Sequence, residues 1–182
     1  MLIFLLDTTS PFFFRRHASN SHKFAVQQNR NMVNVTLETS SGTKEMQIQR
    51  GEILRTAMLR RGVSPHNGRA RLINCRGLGT CGTCAVEIEA ADNTISEALE
   101  PNTRNTKEKI RLNFPPHGSS DQSQNLRLAC QIQIFDDVTV RKRTGFWGQD
   151  TTSELAEEYD AELWFGELEY VLDNKSPQNK ES

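Results

Sequence analysis

The stretch NCRGLGTCGTC, residues 74–84, contains three cysteines and three glycines within eleven residues. The fourth cysteine of the chain, Cys130, follows 46 positions after Cys84. Thiols grouped in this way commonly hold a metal or a cluster, or form disulfide bonds. The role of the thiols, metal or cluster binding or disulfide formation, decides what kind of fold surrounds them.

The chain of 182 residues is long enough for one domain with extensions. Apolar residues make up 36% of it, a low share that indicates one compact core with solvated ends. No apolar run approaches the length of a membrane-spanning helix, so we predict no transmembrane segment. Four cysteines in a chain of this length do not indicate a small secreted disulfide scaffold.

Charge is distributed unevenly along the chain. Residues 32–143 carry 16 Lys and Arg against 12 Asp and Glu, whereas residues 150–182 carry 2 against 10. Such asymmetry predicts that the acidic C-terminal segment contacts a partner or the domain itself.

The first 31 residues show no periodic apolar pattern and carry four basic residues against one acid, Asp7. A basic N-terminus with hydroxyl residues and few acids resembles an organelle transit peptide. The start MLIFLL resembles a short signal-peptide core, but no basic residue precedes it and Asp7 ends it. We therefore predict a transit peptide or a disordered leader at residues 1–31 and exclude it from the fold.

The C-terminal segment has the pattern of a helix. Thr152 or Ser153 is a suitable N-cap, and Glu154, Glu157 and Glu158 follow where carboxylates suit the helix dipole. Apolar residues recur about every four positions beyond them. We predict an acidic helical extension that packs on its own domain or docks on a partner.

The middle of the chain alternates strand and helix patterns, which predicts a small α+β domain. The predicted elements are strands at 32–39 and 44–50 joined as a hairpin, a helix within 51–62, a strand at 84–90, a short helix within 100–112 and a hairpin at 129–143.

Four thiols can form more than one kind of site. Cys81 and Cys84 form a C-x-x-C pair, the motif of thiol oxidoreductases, but those proteins place it at the start of a helix. Here Cys84 leads into a strand pattern. Four thiolates also suit a structural zinc ion, although such sites usually consist of two C-x-x-C pairs. Both remain alternatives to an iron–sulfur cluster.

A [2Fe–2S] cluster accounts for the spacing best. It takes four thiolates, two on each iron, so one long loop can wrap around it while a distant residue closes the set. Gly77, Gly79 and Gly82 allow the backbone amides of this loop to face the electron-rich sulfurs. The sequence therefore predicts an iron–sulfur cluster.

CRGLGTCGTCAVEI at 75–88 and RLACQIQI at 127–134 resemble the [2Fe–2S] ferredoxins of the β-grasp (ubiquitin-like) fold. The likeness covers about residues 32–143 and is strongest to ferredoxin-like proteins of plastids and cyanobacteria. It implies a β-grasp domain, which we place at residues 32–148, followed by the acidic extension at 149–182.

The resemblance also implies the ligands of the cluster and its metal: Cys75, Cys81, Cys84 and Cys130. Family pairing puts Cys75 and Cys81 on one iron, and Cys84 and Cys130 on the other. The residues that match the family's frame around the last ligand are Arg127, Leu128 and Gln131.

Two gaps depart from photosynthetic plant-type ferredoxins. Five residues rather than four separate the first two cysteines, as in adrenodoxin-like ferredoxins and many ferredoxin-like proteins of plastids. The gap of 45 residues before Cys130 is longer than usual, and the excess falls in the Pro- and Ser-rich stretch 113–125. The glycine pattern favours the chloroplast, with the mitochondrion as the alternative.

The positive balance of the domain is a further departure, because soluble photosynthetic ferredoxins are strongly acidic. Arg69, Arg71, Arg76 and Arg127 lie close in sequence to the cysteines. They are either ordinary solvated arginines or a cationic face that suits acidic partners. In the second case the acidic C-terminal segment could fold back over that face and compete with a partner.

These features predict one-electron transfer by a ferredoxin-like carrier, with a reductase or other donor and an acceptor as its redox protein partners. The alternative is a fixed subunit of a membrane-associated complex. Ferredoxin-like subunits of the plastid NADH-dehydrogenase-like complex carry a similar C-x-G-x-G-T-C-x-T-C loop. We predict no enzyme activity, since no nucleophile–base pair or phosphate loop is present, and no nucleic-acid partner.

Overall fold

The computed structural model describes residues 31–39, 41–90, 95–117, 125–158 and 169. Residues from Asn31 onward belong to one compact unit. Apart from Asn31, the leader predicted for residues 1–31 lies outside the described residues, as does most of the chain beyond Glu158.

The chain opens with the predicted hairpin. Strand β1 (Met32–Thr39) pairs antiparallel with β2 (Gly42–Gln49), with Thr39 opposite Gly42. The alternating apolar residues of both strands face the core: Val33, Val35, Leu37, Met46 and Ile48 are at most 5% exposed. The alternation of apolar and polar residues therefore predicted both strands and their buried faces correctly.

Helix α1 (Leu54–Arg60) follows a two-residue strand, β3 (Glu52–Ile53). Its apolar face, which includes Leu54, Ala57 and Met58, is fully buried, as predicted. Ile53 was predicted on the same face but belongs to β3 and is only half-buried.

The larger sheet has six strands. Five follow the order β2-β1-β8-β4-β6, in which the further strands are β4 (Ala85–Ala90), β6 (Leu126–Leu128) and β8 (Val138–Arg143), and a short sixth strand pairs with β8. Strand β8 pairs parallel with β1 and antiparallel with β4. This central position explains why Val138 and Val140 are buried.

A second, smaller sheet corrects the hairpin predicted at 129–143. Strand β7 (Gln133–Ile134) pairs with β3 and with β5 (Leu99–Glu100), and not with β8. The chain turns after Ile134, which is fully buried, and β8 then enters the other sheet. The apolar alternation of the two strands was correctly assigned, but their partners were not.

Two further α-helices lie between β4 and β6. Helix α2 (Ile95–Ala98) precedes β5, and α3 (Thr106–Leu112) is the short helix predicted within 100–112. The side chain of Asn105 accepts a hydrogen bond from the amide of Glu108, whose carboxylate accepts one from the amide of Asn105. This capping box explains why α3 begins where it does.

The helix predicted from Thr152 or Ser153 onward was wrong for residues 153–158. Strand β9 (Ser153–Glu154) pairs with the end of β8. The amide of Ala156 then donates to the carbonyl of Glu38 at 3.0 Å, and the amide of Ser64 donates to Glu157 at 2.9 Å. Backbone pairing with these elements replaced the helical bonds that the local pattern favoured.

The described chain is thus an α+β domain, as predicted. Its core lies between α1 and the two sheets and includes buried Cys84 and Cys130. No described helix has the length and apolar character needed to span a membrane. The boundaries at residues 32, 148 and 149 stay predictions.

Candidate metal centre

The fold brings the four predicted ligands together from two distant parts of the sequence. Cys75 and Cys81 lie in the loop between α1 and β4, which we call the cysteine loop (residues 74–84). Cys84 immediately precedes β4, and Cys130 lies in a short 3₁₀ helix directly after β6. Because β4 pairs with β6, the carbonyl of Cys84 accepts a hydrogen bond from the amide of Ala129 at 2.9 Å.

The thiols contact one another. The Sγ of Cys81 lies 3.2 Å from the Sγ of Cys75 and donates to it. Cys130 forms side-chain hydrogen bonds with both Cys75 and Cys84. In the described part of the chain, no group of three or more His, Cys, Asp or Glu side chains has the geometry of a metal site. The ligand set and the cofactor therefore stay predictions.

The thiols hold their protons unequally. Hydrogen bonds from Cys130 and then Cys81 lower the pKa of Cys75 far below its usual range, and one from Cys130 lowers the pKa of Cys84. Cys81 and Cys130 both donate to Cys75, which is the largest cause of their raised pKa values. Thiolate is the form that binds metal, and the lowered pKa values of Cys75 and Cys84 favour that form at these two residues.

Backbone N–H groups point at the sulfurs of the loop. The amides of Thr80 and Cys81 donate to the Sγ of Cys75, and the amide of Thr83 donates to that of Cys81. These contacts are to cysteine sulfurs, so the expectation that loop amides face the sulfides of a cluster stays a prediction. Such donors stabilise negative charge on sulfur.

The site has a buried half and an open half. Cys84 and Cys130 are 2% and 6% exposed, whereas Cys75 and Cys81 are partly exposed. A groove of about 620 Å³ opens along the exposed side, between residues 79–81 of the cysteine loop and the far end of α3.

Gly79 and Gly82 are required by both conformation and space. Their φ angles are +80° and +78°, in the region that favours glycine. A Cβ on Gly79 would lie 2.8 Å from the Cδ of Gln131, and a Cβ on Gly82 would lie 2.6 Å from the Nε of Arg111. Side chains at these positions would push the loop away from the residues that hold it.

Those two residues, Gln131 and Arg111, hold the loop by hydrogen bonds. Gln131 Nε2 donates to the carbonyl of Gly77 at 2.9 Å and lies 3.4 Å from the Sγ of Cys130. Arg111 Nε donates to the carbonyl of Cys81 at 2.9 Å. The family resemblance pointed to Gln131, but no local pattern identified Arg111, whose partner lies 30 positions away.

A buried histidine was also missed. Burial first, and then the charges of Arg55 and Lys142, lower the pKa of His66 to about 3, so its ring is neutral at physiological pH. Its Nδ1 lies 3.3 Å from the Oγ1 of Thr83, which lies 3.2 Å from the Sγ of Cys81. His66 thus supports the loop through Thr83, and a lone histidine carries no spacing signal that would reveal this.

Arg127 does not belong to a cationic face near the cysteines. Arg127 is 1% exposed, and its Nη2 donates to the carboxylate of Glu108 at 2.9 Å. Glu108, on α3, is fully buried and also accepts the amide of Leu128 at 3.0 Å. A solvated or partner-facing Arg127 was therefore a wrong expectation, because this pair keeps the side chain in the core.

No protein-family model matches the chain. A curated protein of Arabidopsis thaliana, photosynthetic NDH subunit of subcomplex B 3, chloroplastic, is 35% identical to it over 85 residues. The aligned stretch covers 46% of this chain and 35% of that protein, so the match spans about a third of the relative's length. The chain is thus weakly similar to a chloroplastic NDH subunit.

Proposed function

We propose that this chain is an iron–sulfur subunit of a plastid NADH-dehydrogenase-like complex. The assembly and the chloroplast location are supported by the similarity to the chloroplastic NDH subunit of Arabidopsis thaliana. The similarity favours the complex subunit, which was the alternative, over the mobile carrier, which the sequence analysis had put first. Nothing in the comparisons supports the carrier.

The observation that carries the cofactor is the meeting of four thiols in one place. Cys81 contacts Cys75 directly, Cys130 lies against Cys75 and Cys84, and loop amides donate to the Sγ atoms of Cys75 and Cys81, so the four thiols suit a [2Fe–2S] cluster. When bound, such a cluster supplies reversible one-electron transfer. The residues of the chain bind it, orient it and shield its buried side.

The β-grasp fold and the domain limits 32–148 belong to the same proposal. Their support is a mixed sheet in which β1 and β8 are parallel neighbours. Strand β2 flanks β1 on one side of this pair, and β4 flanks β8 on the other. Helix α1 packs on the core, to which α2 and α3 also contribute Ala98 and Leu112. We propose that the chain itself catalyses no bond-making or bond-breaking reaction.

Exposed apolar side chains around the open half favour a fixed subunit. Leu72, Ile73 and Leu78 of the region around the cysteine loop are 50%, 75% and 47% exposed, and Ile110 and Phe114 beside the groove are each 67% exposed. Large apolar side chains grouped on a surface commonly mark a protein interface. A neighbouring subunit that covers Ile110 and Phe114 would also face Cys81, which lines the same groove.

Native fractionation of solubilised plastid membranes tests the assembly. A tagged full-length chain is expected to migrate with the complex, whereas a mobile carrier would migrate near its own mass of 20.7 kDa. Ile110→Glu should weaken this co-migration. Leu155→Glu changes a residue of similar exposure, 54%, outside the groove and should not. If the tagged chain without any substitution migrates as a monomer, the proposal is contradicted.

A further inference from the structure

Glu169, from the acidic C-terminal segment, lies buried beside the cysteine loop and is 4% exposed. Its Oε2 accepts a hydrogen bond from the Nη2 of Arg55 at 2.5 Å, and its backbone carbonyl accepts one from Nη1 at 3.0 Å. Arg55 belongs to α1 and is itself 2% exposed. Two contacts to one buried guanidinium fix Glu169 to the core of the domain.

Arg55 connects this carboxylate to the first turn of the cysteine loop. Its Nη2 lies 3.4 Å from the Oδ1 of Asn74, and the same oxygen accepts the amide of Arg76 at 2.9 Å. Arg76 has a φ of +48°, an uncommon conformation for a residue other than glycine. The turn that presents Cys75 is therefore held by Asn74, which Arg55 in turn orients.

Glu169 also places negative charge between two cations. The Nε of Arg76 lies 4.0 Å from its Oε1, whereas Arg55 contacts its Oε2. Arg76 follows Cys75 directly in sequence, and the charge of Arg55 acts on Cys84. Two guanidinium groups beside the candidate ligands are thus compensated by one carboxylate of the C-terminal segment.

We propose, on the basis of the proposed cluster site, that Glu169 is a positioning residue of that site. It holds the first turn of the cysteine loop through Arg55, and it offsets the positive charge that Arg55 and Arg76 place beside the ligands. Glu169, from the acidic C-terminal segment, is on this account part of the support of that site.

The same segment offers a matched control in Glu158. Its carboxylate lies 2.9 Å from the Nζ of Lys44, and the two side chains are 31% and 34% exposed. It also accepts a hydrogen bond from Ser41. None of these residues belongs to the cysteine loop, so a substitution at Glu158 changes the charge of the segment without touching that loop.

The test uses the full chain and separates charge from positioning. Glu169→Gln removes the negative charge of the carboxylate. Because reduction adds negative charge to a cluster, the midpoint potential of the cluster should become more positive in this variant. Glu169→Ala also removes the contact, so the amide of Arg76 should exchange its hydrogen faster, in the metal-free protein too. Iron release to a chelator should be about tenfold faster or more. Glu158→Gln and Glu158→Ala should have the wild-type midpoint potential, the wild-type exchange rate at Arg76 and the wild-type rate of iron release.

An unchanged potential in Glu169→Gln, or unchanged exchange at Arg76 in Glu169→Ala, would overturn the proposal. If Glu169→Ala does not fold, the potential of Glu169→Gln decides. If the wild type binds no cluster, the proposed function is contradicted, and so is the charge role of Glu169. Hydrogen exchange in the metal-free chain then still decides whether Glu169 holds the loop.

Discussion

The two halves of the candidate site are held by different means. Cys84, the last residue of the cysteine loop, and Cys130 are anchored in a buried frame, in which β4, β6 and α3 are joined by sheet pairing and by the pair Arg127–Glu108. Cys75 and Cys81 belong to a loop that individual side chains from distant elements keep in place. A substitution in the frame should therefore lower the free energy of unfolding of the whole domain, whereas a substitution in the loop should mainly weaken metal binding at the site.

The largest effect is expected from Glu108→Gln, which breaks the frame. It leaves the buried guanidinium of Arg127 without its counter-charge, and removing one partner of such a pair costs about 3–5 kcal/mol. Urea unfolding should show this loss. Glu89→Gln breaks the exposed pair with Arg141 and should cost at most about 1 kcal/mol. Equal losses in the two variants would mean that the frame does not depend on this pair.

Gly79→Ala should produce the next largest effect, and it acts on the loop. Its Cβ would collide with Gln131, so we expect about 1–3 kcal/mol of destabilisation and a marked loss of bound iron. Gly42→Ala also places a side chain at positive φ, +123°, but nothing lies within 4 Å of its Cβ. Unfolding free energy and iron content should therefore separate the collision from the backbone strain. Full iron content in Gly79→Ala would refute the close approach.

Arg111→Met should have a smaller effect. It removes the hydrogen bond to the carbonyl of Cys81, and such a bond contributes about 1 kcal/mol. Hydrogen exchange should become faster at the loop amides from Cys81 to Cys84 and stay unchanged in β1 and β2. Lys109→Met, at an exposed position of the same helix, is the control. The contact is unimportant if both variants exchange alike.

The smallest perturbation is to label the native thiols. In the metal-free protein, Cys75 and Cys81 are partly exposed and should be alkylated before Cys84 and Cys130, which the core covers. Mass spectrometry of briefly treated protein gives the order. Early labelling of Cys84 would show that the frame opens as readily as the loop.

Local sequence patterns predicted elements whose signals are short-range and failed where distant backbone segments compete. The β1–β2 hairpin followed from apolar alternation, α1 from an apolar helical face, and α3 from the helix pattern within 100–112. The hairpin at 129–143 failed because apolar alternation reports burial but not the partner strand.

The same limit explains the errors at the C-terminal segment and in the loop. Glu154, Glu157 and Glu158 suit a first helical turn, yet β8, β1 and the chain after α1 pair with this backbone instead. Its acids face bases in the domain, as Lys142 shows: burial lowers the pKa of Lys142, while Glu154 and Glu157 act against that shift. Contacts such as Arg55–Glu169 span 114 positions, so no local pattern contains them.

The most direct test of the central claim is an absorption and EPR spectrum of the full-length protein, as purified and after dithionite, with metal and sulfide analysis. The account predicts a red-brown protein with equal iron and acid-labile sulfide and a reduced S = ½ signal that Cys130→Ala abolishes. A colourless, EPR-silent protein that contains stoichiometric zinc would contradict it. The four thiols would then form a structural metal site, and electron transfer would have no carrier in this chain.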